Sequence, residues 1–213
     1  MKYFSLVILV ATLILFSCGS SKKGATGFDP KEKQALTAYL TLFAEINTPY
    51  FSENEVPDSV LLNFGVYHTW MIKPDLFGEC DSATKACIAE SAITDTIKRY
   101  FGKTPSKQLS FGDCKYEDGK YKILLGDGEA YSFAQATEII SDSNDIITLK
   151  ATEFVAPAGW TGDINGNPES WKVNNKGDEG LPEVNTLLKV KVKRIKEGAN
   201  NRYLLLEYKK SEK

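Results

Sequence analysis

The hydropathy pattern predicts an α+β domain. Apolar residues recur at helical spacing from Leu36 to Phe101. From Cys114 onward they alternate as in strands, and Asp118-Gly119 sits between two such runs as a hairpin signal. Helices first and consecutive strands later predict about three N-terminal helices packed on a strongly twisted antiparallel sheet of about five to six strands.

Asp29-Pro30 opens the first helix. Asp29 can cap free amides, and Pro30 suits the first helical position. Leu36, Tyr39, Leu40, Phe43 and Ile46 share one face, and Asn47-Thr48-Pro49 ends the helix. The second helix spans Pro57 to Ile72, starting at Asp58 or Ser59. Val60, Leu61, Leu62, Phe64 and Val66 make it apolar on most sides, which places it inside a core. Gly65 permits close packing there, and Lys73-Pro74 stops the helix. Residues 75–90 read as a loop or short helix around two cysteines. The third helix runs from Ser91 to Phe101 with Gly102 as its cap.

Cys114 to Glu117 and Tyr121 to Leu125 form the predicted hairpin. Ala130 to Ile140 reads as a strand turned by Ser141 to Asn144, and Asp145 to Val155 as its partner. Leu188, Val190 and Val192 alternate with Lys189, Lys191 and Lys193, which puts the lysines on a solvated face. Glu197 to Asn201 turns that strand into Arg202 to Tyr208. Residues 156–185, rich in Gly and Pro, read as one long loop. This order is similar to the cystatin-like and nuclear-transport-factor-2-like folds. The resemblance is one of architecture and implies room for a cavity between helices and sheet.

The first residues carry an address. Lys2 precedes an apolar run from Tyr3 to Phe16, shorter than the about 20 residues that span a bilayer. Ser17-Cys18-Gly19-Ser20-Ser21 follows, so the segment reads as a secretory signal. Leu15-Phe16-Ser17-Cys18 resembles a bacterial lipobox. That resemblance implies cleavage before Cys18, acylation of Cys18 by palmitate-like chains, and a membrane-anchored lipoprotein. Two or more chains make a lasting tether. Gly19, in place of the aspartate of inner-membrane lipoproteins, favours the outer membrane where the cell has one. The resulting organisation is a signal peptide at 1–17, a flexible tether at 18–28, a single α+β domain at 29–209 and a tail at 210–213. Ile97 to Gly102, Tyr116 to Tyr121 and Arg202 to Tyr208 also resemble segments of small uncharacterised lipoproteins of Bacteroidetes and Clostridia. That likeness implies no activity.

Composition narrows the partners. The balance of 26 basic against 28 acidic residues lacks the basic excess of a nucleic-acid binder. Cys80, Cys87 and Cys114 follow Cys18. In an exported protein a Cys80–Cys87 bridge is the preferred pairing, with Cys114 left odd; the alternative is three small buried hydrophobes. The absence of Cys-x-x-Cys, with His68 the sole histidine, argues against structural zinc.

Each candidate site has a plainer competitor. Asp163, Asn165, Asn167 and Glu169 alternate as in the first half of a calcium loop. Pro168 and Asn174 replace the glycine and glutamate such a loop requires, and a polar turn explains the same residues. Trp160 and Trp171 form either an exposed aromatic platform for sugar or peptide or a plug that anchors the loop. Tyr67 and Trp70 would wall a cavity under the second helix. His68 is either a general base or a helix-rim histidine, and no Gly-x-Ser-x-Gly accompanies it. Asp127 and Glu129, beside Gly126 and Gly128, read as turn chemistry. The sum is an expected lipid-anchored envelope protein that binds or scaffolds without catalysis, its partner an envelope protein or small ligand. The alternatives are a small-ligand or glycan binder and an envelope hydrolase centred on His68.

Overall fold

The computed structural model describes residues 28–80, 85–124, 131–174 and 180–212. The lipobox, Cys18, and the Gly126-Asp127-Gly128 turn with Glu129 lie outside the described residues. Helix α1 (Pro30–Glu45) starts where Asp29 Oδ1 accepts from the Lys31 amide at 3.4 Å. Helices α2 (Asp58–Ile72) and α3 (Glu90–Phe101) follow. Phe28 already packs against the core, so the domain begins inside the expected tether.

Among the described residues, eight strands form two antiparallel sheets of four rather than one sheet of five to six. The first holds β1 (Gly78–Glu79), β2 (Lys85–Ala89), β4 (Lys120–Leu124) and β3 (Lys115–Glu117), in that order. The second is a meander of β5 (Tyr131–Ser143), β6 (Ile146–Ala156), β7 (Glu183–Glu197) and β8 (Asn200–Lys210). One continuous core joins α1, α2 and α3 to the inner faces of both sheets. Leu188, Val190 and Val192 are buried in it, and the lysines between them point outward. α2 is buried on most of its surface. A side chain at Gly65 would lie 2.8 Å from Ile93 Cγ2 and Ile97 Cγ1, so glycine lets α2 and α3 approach.

Strand limits also move. β5 runs to Ser143, paired with Ile146, and turns at Asn144-Asp145. Both residues adopt positive φ (52° and 62°), the conformation of a two-residue hairpin turn. Where a loop or short helix was expected around the two cysteines, the described residues hold a short 3-10 helix (Pro74–Leu76) and the strands β1 and β2. The long loop contains a short helix α4 (Pro168–Asn174) and ends at Glu183.

Edge strand β5 is closed by α1. Thr41 Oγ1 donates to the Ala134 carbonyl and accepts from its amide, each at 3.3 Å, and Thr37 Oγ1 accepts from the Ala136 amide at 3.2 Å. Two threonines one helical turn apart thus satisfy backbone groups that a buried sheet edge would leave unpaired.

Candidate functional site: the cleft between the second and third helices

α2 and α3 enclose a cleft of about 390 Å3 lined by His68, Thr69, Ile72, Lys73, Thr96, Arg99 and Tyr100. The α2 residues fall on one side of that helix because one turn separates His68 from Ile72 and Thr69 from Lys73. Thr69 and Thr96 form the floor. Their hydroxyls lie 2.8 Å apart, and each reaches back to a carbonyl of its own helix, Gly65 at 2.6 Å and Ala92 at 3.2 Å. Two protons serve three contacts, so the pair ties the helices together and offers the cleft little donor capacity.

His68 is 4 % exposed. Its ring stacks on Phe64 (centroids 4.9 Å, 13°) and meets Tyr100 edge-on at 4.5 Å. Nδ1 is buried without a hydrogen-bond partner among the described residues. An unmet buried polar atom costs about 1–3 kcal/mol. Burial pushes the imidazole down to about 4, and the charges of Lys73 and Arg99 push the same way. The ring is therefore neutral at neutral pH. Burial raises the Tyr100 phenol above its usual value, against the pull of Arg99.

The cations of this cleft have no carboxylate partner among the described residues. Of the three arginines, Arg194 pairs with Glu32 at 2.7 Å and Asp142 at 2.9 Å, and Arg202 pairs with Glu197. Arg99 is in no ion pair among the described residues, although it also borders a shallower hollow with Asp95 and Glu197. A larger hollow of about 630 Å3 at the start of α1 is lined by charges of both signs, Asp29, Lys31, Glu32, Arg194 and Lys196, with Arg194 paired to Glu32 and the Tyr203 hydroxyl donating to Glu32.

Tyr67 and Trp70 lie on another face of α2. Tyr67 packs edge-on to Phe111 at 6.3 Å and Trp70 edge-on to Phe77 at 5.0 Å, so neither lines the cleft. Trp171 is 2 % exposed. It sits in a second core with Phe133, Phe154 and Ala156, and its Nε1 donates to the Asp163 carbonyl at 2.8 Å. Trp160 lies parallel to Phe133 (5.1 Å, 3°), and a side chain at Gly162 would collide with its indole. The two tryptophans pack the loop onto the sheet, so Trp171 has no free ring face for a sugar or peptide.

Asp163, Asn165, Asn167 and Glu169 serve the loop in a similar way. Asp163 Oδ1 accepts from the Asn165 amide at 2.8 Å, and Asn167 Oδ1 accepts from the Ser170 amide at 2.9 Å as α4 starts. Glu169 lies in the first turn of α4. No group of three His, Cys, Asp or Glu suited to a metal occurs among the described residues. Cys80 and Cys87 are joined by a disulfide (Cα–Cα 5.4 Å) across the β1–β2 pair. Cys114 is a free, buried thiol, pushed up to about 12 by burial.

The sequence reading reached His68 but missed Thr69, Thr96, Lys73 and Arg99 as its neighbours. The one available signal was the shared spacing on each helix; which faces meet depends on the crossing at Gly65. Comparison with protein-family models, with curated proteins and with solved structures finds no match. No helix among the described residues is long and apolar enough to cross a membrane.

Proposed function

We propose that the chain is a lipid-anchored cell-envelope protein whose α+β domain binds a small ligand without transforming it. The observation that carries the binding half is the α2–α3 cleft. It is open, of a size that holds small molecules, and lined by Lys73 and Arg99 without an acid among its lining residues. The lipobox-like Leu15-Phe16-Ser17-Cys18 supports the anchored half, with an exported location, the outer membrane where one exists, and membrane lipid as the first partner.

Binding is favoured over hydrolysis by what surrounds His68. A general base needs an orienting acid and a nucleophile. The rings of Phe64 and Tyr100 and the charges of Lys73 and Arg99 face His68 instead.

Two experiments test the halves separately. Replacing Cys18→Ala in the producing cell is expected to abolish acyl labelling and partitioning into detergent. Unchanged partitioning overturns the anchor. For the domain, the single imidazole is followed by NMR against a panel of small organic molecules. Saturable movement with the compound recovered intact supports binding. Consumption of the compound supports turnover, and a silent panel overturns the cleft as a site.

A further inference from the structure

We infer that the α2–α3 cleft receives an oxyanion, a carboxylate or phosphate carried on a small apolar body, with Arg99 and Lys73 as its charge partners. The inference rests on the binding reading above and names its ligand class.

Charge matching comes first. The chain has more acids than bases, and both other arginines are held by carboxylates. Arg99 and Lys73 instead border one cleft with no acid in its lining. Lys73 and Arg99 both border the cleft, and Asp95 and Glu197 lie beside Arg99 only in the shallower neighbouring hollow, so an oxyanion seated in the cleft meets two positive charges. A guanidinium fork also matches the two oxygens of a carboxylate or phosphate.

The walls define the rest of the ligand. Ile72 and the ring of Tyr100 are apolar surface beside the charges. The cleft volume of about 390 Å3 exceeds what a bare phosphate or acetate fills. An organic acid or phosphate ester with a ring or short chain uses both parts. His68 contributes a neutral wall with an unpartnered nitrogen, and the Thr69–Thr96 pair fixes the distance between the helices.

The full-length chain supplies its own reporter, because His68 is the only histidine. Its imidazole signals are followed while benzoate, phenyl phosphate and the neutral isostere benzamide are added in turn. Benzoate or phenyl phosphate is expected to move the signals saturably, with benzamide at least about tenfold weaker. Arg99→Gln and Lys73→Gln are each expected to weaken the acid by about tenfold without weakening benzamide. The near-ultraviolet signal of the three tryptophans, Trp160 and Trp171 in the separate core and Trp70 on α2, checks that each variant is folded. Benzamide equal to benzoate, or acid binding unchanged in both variants, overturns the oxyanion and leaves a binding site for neutral molecules. No response to any of the three probes also overturns it, and the wider panel then decides the cleft itself.

Discussion

The aromatic plug under the long loop and the cleft between α2 and α3 are made of similar parts and end in opposite states. Each sets rings against a polar group. In the plug every ring has a partner. Trp171 is met by Phe133, Phe154 and Trp160, its indole N–H reaches the Asp163 carbonyl, and the Gln135 amide holds the carbonyls of Ile164 and Gly166. In the cleft the rings of Phe64 and Tyr100 hold a histidine whose Nδ1 has no partner, beside two cations with no acid. Completed packing and completed hydrogen bonds mark the plug as a fastening. Incomplete ones mark the cleft as a place where something else is received.

Four measurements sharpen or break this contrast. The largest effect belongs to the plug. Trp171→Ala is expected to cost about 3–5 kcal/mol in urea unfolding while the His68 imidazole signal stays in place. A displaced His68 signal would mean that the two regions are one unit.

Next is the pH dependence that His68 imposes. Its folded value of about 4 lies below the unperturbed 6.5. Between those values the unfolded chain takes up a proton that the folded chain refuses. Stability is therefore full above pH 6.5 and falls by about 3 kcal/mol as the pH drops toward 4. Urea midpoints of the native chain and of His68→Phe across that window separate this loss from carboxylate titration. Parallel curves would remove His68 as its source.

Gly65→Ala tests the wall shared by the cleft and the core. The new methyl would press on Ile93 and Ile97. The expected net cost is about 1–2 kcal/mol, the strain being partly offset by the better helix propensity of alanine. The His68 signal should move, unlike in Trp171→Ala. The smallest effect is expected from His68→Phe at neutral pH. Removing a buried nitrogen with no partner should leave stability unchanged or raise it by up to about 1 kcal/mol. A loss of several kcal/mol would make His68 a packing residue and erase the contrast.

Residue pattern made part of this legible. The three main helices follow from apolar spacing, and Asp118-Gly119 adopts the positive φ pair that its hairpin needs. β2 was hidden because Lys85 to Ala89 holds one β-branched residue in a run of five. α4 was hidden by the glycines around it. Thr37 and Thr41 break the apolar pattern of α1, yet both are buried, their oxygens meeting the β5 edge. The cleft was the least visible part. His68 could be noticed alone, but Arg99 and Lys73 become its neighbours only when two helices cross at a glycine.

The closure of β5 bears on crowding. An open strand edge invites the same strand of another copy, and copies confined to a surface meet far more often than copies in solution. Here the first half of that edge is latched by two hydroxyls, and the register of the remainder is broken by shifts at Ala136/Glu138 and Ile139/Ser141. A neighbouring chain finds no straight run of free amides along β5 to extend. The β5 edge of the sheet is thus guarded against strand exchange even where molecules stand shoulder to shoulder.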